Sequence, residues 1–402
     1  MREERHTVWI GLVIIGLGFV TPGCGSTKDD DPWEWELPGY ATPPWTPDHN
    51  PMSASKVELG RHLFYEPRIS MTGTISCGSC HEQERGFATQ MQFNDGATGD
   101  ATPRNAQPLG NVAYASYLTW GNLTLRDLER QALNPLFGDN PIELGAGFIE
   151  GSSNHYDLTR LEELVDQDPR YGEMFEDAFP HLGPEDRLTW DRAIDAIACF
   201  QRSLLSFESP YDRFLAGDEG ALSEEAERGR QLFFSETTRC GDCHSGPLLS
   251  VAFPVLGESP TLDELFRNTG LYYLTEGSSS YFDGSISHYP EPNMGIGEFS
   301  QNPADDGKHR VPSLRNIGLT APYRHDGSVA TLGEVLEHYA QGGRVLVDGP
   351  YAGDGGQNPN KDDLIAGFEL TEQDKSDLIA FLHSLTDTDF ISNPAFSNPH
   401  EN

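Results

Sequence analysis

Cys77-Gly78-Ser79-Cys80-His81 and Cys240-Gly241-Asp242-Cys243-His244 are the two stretches whose reading decides what this chain is. Two cysteines three positions apart can each form a thioether with one vinyl group of a single porphyrin, and the histidine that follows brings its imidazole under the iron. Each stretch therefore reads as a covalent attachment site for a c-type haem, with His81 and His244 as axial ligands. The two sites use four of the six cysteines. A redox dithiol or half of a zinc site would leave both histidines without a role. The sequence ahead of each motif also repeats: Gly60-Arg61-His62-Leu63-Phe64 precedes the first and Gly229-Arg230-Gln231-Leu232-Phe233 the second. This is an internal repeat of a helical unit that closes on a haem.

At 402 residues the chain is long enough for two domains with their own cores. Its 63 acidic and 27 basic residues give a formal net charge of -36. Such a surface repels nucleic acid and anionic lipid and favours a basic partner, although solubility alone would also account for it. Arg2 and Arg5, an apolar run over residues 8–20 and Pro22-Gly23-Cys24 read as a secretion signal over residues 1–23, too short to span a membrane and remain there. Gly23-Cys24 resembles a bacterial lipoprotein processing site. Cys24 is thus a candidate for acylation, with the periplasm as the expected location and a lipid anchor as the only expected membrane contact.

Residues 24–50 are Asp-, Pro- and Trp-rich and read as a tether lying over the surface. Ser55 and Glu58 form a capping pattern ahead of Val57, Leu59, Leu63 and Phe64, predicting the first helix. Apolar spacing predicts helices over residues 123–133, 158–165, 171–179 and 190–207, the last with Cys199 buried. Strand-type alternation is scarce. The expected fold is mainly α, two cytochrome c-like haem domains packed together with long loops, spanning residues 51–212 and 213–402. The Gly-, Ser- and Pro-rich residues 245–309 should be functional or wrap around a cofactor. A helix capped by Thr331 and Glu334 carries Leu332, Val335, Leu336 and Tyr339 on one face and turns His338 toward solvent. A last helix over residues 371–385 faces Leu378, Phe381, Leu382 and Leu385 inward.

The second axial position of each iron decides what the haems can do. No histidine lies between His81 and His155, and the only methionine in that interval, Met91, sits on a polar loop where exposure is expected. The first haem thus reads as five-coordinate and open to peroxide. For the second, Tyr339 is either a phenolate ligand or a buried tyrosine whose hydroxyl is satisfied by backbone; spacing leaves both open.

Over residues 51–387 the chain resembles the bacterial di-haem cytochrome c peroxidase and MauG family. The resemblance rests on both haem motifs, Pro103-Arg104-Asn105, Trp120, Gln131, Pro135, Glu143, Leu314-Arg315-Asn316, Thr320-Ala321-Pro322 and His325-Asp326-Gly327. It implies that the first haem meets hydrogen peroxide in a pocket lined by Gln131, Pro135 and Glu143, the carboxylate moving the proton that O–O cleavage requires. It further implies that Trp120 relays electrons between the haems and that Asn105, Thr320 and Pro322 hold a calcium ion. Where ordinary peroxidases of the family carry a methionine ligand, this chain has Tyr339, as MauG does, and the distal-loop histidine is missing. The surface tryptophan that MauG carries before its second motif is Thr238 here. Asn50-Pro51-Met52, Leu118-Thr119-Trp120 and Asn134-Pro135-Leu136-Phe137-Gly138 resemble the MbnH branch, whose members oxidise a tryptophan of a partner protein, MbnP. The implied activity is oxidation of a tryptophan or tyrosine on a periplasmic partner by peroxide-derived equivalents. The rival readings are peroxide detoxification with electrons from a small c-type cytochrome, and a non-catalytic di-haem electron carrier.

Overall fold

The computed structural model describes residues 33–147, 156–255 and 260–401. The expected signal over residues 1–23, Cys24 and the first part of the tether lie outside the described residues. Asp31–Asn402 forms one compact unit, and among the described residues no helix is long and apolar enough to cross a membrane.

The first half contains α1 (Ala54–Phe64), α2 (Leu128–Phe137), α3 (Thr159–Gln167), α4 (Arg170–Ala178), the single turn α5 (Pro184–Arg187) and α6 (Trp190–Ser203). The second half contains α7 (Pro210–Leu215), α8 (Glu224–Phe233), the short α9 (Leu262–Leu265) and α10 (Gly297–Ser300), α11 (Leu332–Ala340) and α12 (Glu372–His383). Among the described residues strand is confined to three antiparallel ladders of two residues each: β1 (Phe266–Arg267) with β4 (His309–Arg310), β2 (Ser279–Ser280) with β3 (Ile286–Ser287), and β5 (Val345–Leu346) with β6 (Gly353–Asp354). The mainly α class expected from the scarcity of alternation is the observed one.

Helix limits differ from the sequence reading where local chemistry overrides periodicity. The N-cap of α1 is Ser53 rather than Ser55; Ser53 is extended and accepts from the Lys56 amide, so Ser55 falls inside the helix. The helix expected over 123–133 starts at Leu128, because Asp127 caps the Arg130 amide, and it runs on through Pro135. Proline has no N–H to offer Gln131, so that turn of α2 lacks one ladder bond. The helix expected to reach Phe207 stops at Ser203.

The internal repeat is a repeat of one helix crossing. α1 packs on α6 and α8 packs on α12. At the α1 crossing a Cβ on Gly60 would overlap the Ala196 carbonyl; at the α8 crossing a Cβ on Gly229 would overlap the Asp377 carbonyl. Glycine is what lets each pair approach to backbone contact. The residue that ends each helix then packs on the haem motif: Tyr65 against Gly78, and Phe234 against Gly241. One core gathers Leu59, Leu63, Phe64, Ile197 and Phe200, and a second gathers Phe233, Leu336, Leu378, Phe381 and Leu382. We propose the domain boundary near residue 212, and these separate cores support it. The chain end crosses back. Phe390 joins the first core, the Tyr65 hydroxyl donates to the Phe396 carbonyl (2.8 Å) and Arg61 donates to the Ser397 carbonyl (2.9 Å).

Residues 33–50 lie against the protein as a strap. The Tyr40 hydroxyl donates to Asp212 (2.7 Å), the Thr42 carbonyl accepts from Tyr114 (2.7 Å), and Trp33 meets Trp35 edge to face. Buried ion pairs tie the elements together: Arg202 on α6 with Glu129 on α2, and Arg315 with Asp212 on α7. Arg315 and Asn316, whose side chain donates to Ser206 (3.0 Å), are therefore clamps within the fold.

Alanine ordinarily gains about 1 kcal/mol over glycine inside a helix. Gly172→Ala on α4, where the added methyl would make only van der Waals contact, should follow that rule in urea unfolding of the haem-loaded protein. Gly60→Ala and Gly229→Ala should reverse it and lose roughly 2–3 kcal/mol through overpacking.

Candidate active site

Both haem motifs fold as a 3-10 turn, Cys77–Ser79 and Cys240–Asp242, closed by the histidine amide on the first cysteine's carbonyl (3.0 and 2.9 Å). In each case the Nδ1 of the histidine meets a backbone carbonyl, His81 that of Phe87 (2.8 Å) and His244 that of Leu249 (2.9 Å). A carbonyl can only accept, so Nδ1 carries the proton and Nε2 keeps its lone pair for a metal. Burial lowers both imidazoles, His244 to about 4, and so keeps them neutral. The thiols go the other way: burial pushes Cys77 and Cys80 up to about 12 and Cys243 to about 11. Thiols this hard to ionise suit conversion to thioethers better than dithiol redox chemistry.

The second motif opens on a large cavity. Cys240, Cys243 and His244 line it, with an apolar wall of Phe233, Leu271 and Leu382. Leu332, Val335, Leu336 and Tyr339 all face it, as the spacing on α11 predicted. The expectation for His338 is corrected. It is 5% exposed, and its Nε2 meets the Thr269 carbonyl at 2.8 Å, because the long loop after the second motif packs over the helix face that the sequence left for water. The Tyr339 hydroxyl accepts from Arg324 Nη1 (3.0 Å), and the guanidinium lies 4.7 Å from the tyrosine ring centroid. Arg324 holds φ at +78°, a left-handed conformation costly for a residue with a Cβ.

A c-type haem fits this cavity on the chemistry of its walls. Arg267 Nε, Arg310 Nη1 and Arg324 Nε and Nη2 are buried donors with no partner, and the Nε2 atoms of the stacked pair His309 and His325 (3.7 Å between ring centroids) are unpaired as well. All five residues line the cavity. A buried unsatisfied polar group costs about 1–3 kcal/mol, so these walls call for an occupant with an apolar body and carboxylates. Haem with its two propionates has that composition, and arginine is the residue suited to carboxylates. Burial also pulls the Arg310 guanidinium down to about 10, the mark of a buried cation without its anion. Sequence reasoning missed these basic residues. Arg324 adjoins the His-Asp-Gly run and His325 opens it, but His309 and Arg310 reach the cavity only through the β1–β4 pairing, which has no local signal.

Of the residues expected around the first motif, Glu143 comes near it and its loop is bonded to Pro135. The loop bearing Glu143 is pinned by Leu144 N–H to the Pro135 carbonyl (2.9 Å), Ala146 N–H to Leu136 (2.7 Å) and Ala97 N–H to Glu143 (2.7 Å). Gln131 lies one turn before Pro135, on the same face of α2. The Glu143 carboxyl is close enough to act electrostatically on Cys77 and Cys80, and burial holds its pKa above the usual carboxylate range. Met91 is 54% exposed, as expected.

Trp120, Asn105, Thr320 and Pro322 all line the second cavity. The Trp120 indole N–H donates to the Asn105 carbonyl (2.9 Å), and the Asn105 amide donates to the Met91 carbonyl (2.8 Å). The segment carrying Asn105 is shared by the two sites. Asn105 and Pro108 face the second cavity, while the Gln107 backbone acts on the His81 ring. Thr238, 8% exposed, donates its hydroxyl to the Leu232 carbonyl (2.6 Å) and so locks the end of α8.

The family model for di-haem cytochrome c peroxidase matches residues 54–220. A cytochrome-c peroxidase of Denitromonas iodatirespirans is 34% identical over 359 residues, 87% of this chain and 86% of its own length. The methylamine utilization protein MauG of Methylorubrum extorquens is 28% identical over 341 residues, 84% of this chain and 80% of its own. Among solved structures, a MauG-like protein associated with microbial copper homeostasis shares 44% identity with a TM-score of 0.83, covering 91% of this chain and 99% of that one. With two haem motifs of matching geometry and relatives that span nearly its whole length, this chain belongs to the di-haem cytochrome c peroxidase and MauG family of oxidoreductases.

Proposed function

We propose that this protein uses hydrogen peroxide to oxidise a tryptophan or tyrosine side chain of a partner protein in the periplasm. The observation that carries the reading is Tyr339, facing the same cavity as His244 where a reductively activated peroxidase would present a thioether. Haem, when bound, supplies the iron that reacts with peroxide and the sites that hold its two oxidising equivalents.

The chain's own residues handle protons and position. Glu143, on its pinned loop beside the first motif, takes the proton from the inner peroxide oxygen and delivers it to the outer one. Burial raises its pKa above the usual carboxylate range, which makes the protonated form easier to reach in the second half of that transfer. Gln131 and Pro135 shape the wall next to it. Trp120 carries the electron between the two sites; its N–H faces a backbone carbonyl, which takes no proton, so the oxidised indole keeps its own. Arg324 donates to Tyr339 and sets a buried positive charge beside it. Asn105, Thr320 and Pro322, sharing one wall, would hold calcium through oxygen donors: the Asn105 amide nitrogen is turned to the Met91 carbonyl, which leaves its oxygen for the ion. Export by residues 1–23, acylation of Cys24 and an MbnP-like partner in copper handling complete the proposal; the similarity to the copper-associated MauG-like structure supports the last.

A second reading, detoxification of peroxide with electrons from a small basic c-type cytochrome, is favoured by the net charge of -36 and by relatives named cytochrome-c peroxidases.

Peroxide added to the diferric protein with no reductant present should give a long-lived state two equivalents above ferric, read by absorbance and EPR. An unchanged spectrum would sink the proposal, and rapid steady turnover of reduced cytochrome c would favour the second reading. Glu143 must be ionised to accept the first proton, so the rate of this reaction should rise with pH, its midpoint displaced above the ordinary carboxylate range. Glu143→Gln should flatten the profile and slow the step by about 10²–10⁴. Arg324→Met removes a buried positive charge and should lower the reduction potential of the haem at His244 while leaving the haem at His81 unchanged, as potentiometric titration would read.

A further inference from the structure

Oxidising equivalents that end on a partner protein need a way from the second cavity to the surface. At Thr238, where the MauG pattern would place a surface tryptophan, there is no aromatic ring, and the hydroxyl is committed to the Leu232 carbonyl. Phe234, 40% exposed and packed on the cavity-lining Phe233, is a phenylalanine and hard to oxidise.

A different line of rings does run from cavity to solvent. Tyr289 lines the cavity, 2% exposed, with its ring 5.8 Å from His309 and 6.1 Å from His325 between centroids. The ring of Tyr272, 3% exposed, is edge-on to Tyr289 at 5.6 Å, and the ring of Tyr351 is edge-on to Tyr272 at 5.5 Å. Tyr351 is 43% exposed. Neighbouring rings in this line are thus in the edge-to-face contact range, with no gap between cavity and solvent. The middle ring also has somewhere to put its proton. The Tyr272 hydroxyl donates to Asp326 Oδ2 at 2.6 Å, and Asp326 is buried, its Oδ1 accepting from the Ser328 amide.

We infer that Tyr289, Tyr272 and Tyr351 form the exit path for oxidising equivalents, with Tyr351 as the surface residue that oxidises the partner. The inference rests on the function proposed above, in which hydrogen peroxide is the oxidant. One electron leaves Tyr272 through the Tyr289 ring toward the oxidised second site. The Tyr272 O–H bond breaks as it goes, and its proton moves to Asp326, leaving a neutral tyrosyl radical and a carboxylic acid. Tyr351 then gives an electron to Tyr272, the proton returns from Asp326 to the Tyr272 oxygen, and Tyr351 releases its own proton to water. The partner's aromatic side chain gives up one electron and one proton, which return the Tyr351 radical to tyrosine and leave the partner oxidised by one equivalent. Two such passages supply the two electrons that reduce peroxide to water. Tyr289 serves as a stepping stone and Tyr272 as the resting point, because Tyr272 has the carboxylate.

The test treats the diferric holoprotein with peroxide in the presence of a nitroso spin trap and maps adducts by mass spectrometry, following haem absorbance in parallel. Wild type should carry the adduct on Tyr351 and give a tyrosyl EPR signal. Tyr272→Phe, which keeps the ring and its packing, should lose the Tyr351 adduct while its haem absorbance change stays that of wild type. Tyr351→Phe should lose the adduct and keep the radical on Tyr272. An undiminished Tyr351 adduct in Tyr272→Phe, or an adduct at another site in wild type, overturns the path. If wild-type absorbance does not respond to peroxide, the proposed function falls, and the path is read instead with a photo-excited ruthenium tris-bipyridine oxidant acting on the ferrous holoprotein. Haem oxidation should then be slower in Tyr272→Phe than in wild type, and equal rates overturn the path.

Discussion

Two glycines, Gly60 and Gly229, set the distance between the helices on which both haem sites stand. At each crossing the partner helix presents a carbonyl where any other residue would place its Cβ. The approach brings the end of α1 and of α8 onto the haem motif, where Tyr65 and Phe234 pack on the central glycine of Cys-x-x-Cys-His. A separation larger by the width of a methyl would pull each aromatic off its motif and loosen the turn that holds His81 or His244. Backbone contact between helices is thus the constraint from which the positions of the two irons follow.

From this shared frame the two sites diverge through their walls. At the first, a loop tied at Pro135, Leu136 and Ala97 holds one carboxyl, Glu143, in a partly buried position that favours its protonated form. At the second, three arginines bring four unpartnered donors to one cavity that also has an apolar wall of Phe233, Leu271 and Leu382. Arg267 already pairs with Asp362, but buried donors left without a partner are costly, and an anionic, largely apolar group would complete this surface. The same accumulation of positive charge lies beside Tyr339, whose hydroxyl accepts from Arg324.

The two halves are laced together as well as stacked. Asn105 donates its amide to the Met91 carbonyl and accepts the Trp120 indole, while its backbone N–H bonds His325 in the second half (2.9 Å). The chain end returns from α12 to pack Phe390 into the first core. Movement of one site relative to the other would break buried hydrogen bonds on both sides.

Much of this was legible in the chain. The repeated Cys-x-x-Cys-His motifs with their Gly-Arg-x-Leu-Phe preludes, the capping pair Thr331 and Glu334, and the stripe ending in Tyr339 are all local patterns, and local patterns survive being read one residue after another. His338 shows where that stops. Helix geometry turned it away from the apolar stripe, yet a loop from about seventy residues earlier covers it, as the 69-residue separation of its bond to Thr269 records. The same holds for His309, Arg310, Arg324 and the three tyrosines that run from the cavity to solvent, none of which carries a spacing signal. The sequence by itself determined the two haem attachments, the mainly α class and the face of α11 that carries Tyr339, because covalent chemistry and helix periodicity act over a few positions. The tertiary structure alone decided which buried cations share a cavity and which aromatic rings touch, because those contacts join segments that only the packing of the two halves brings together.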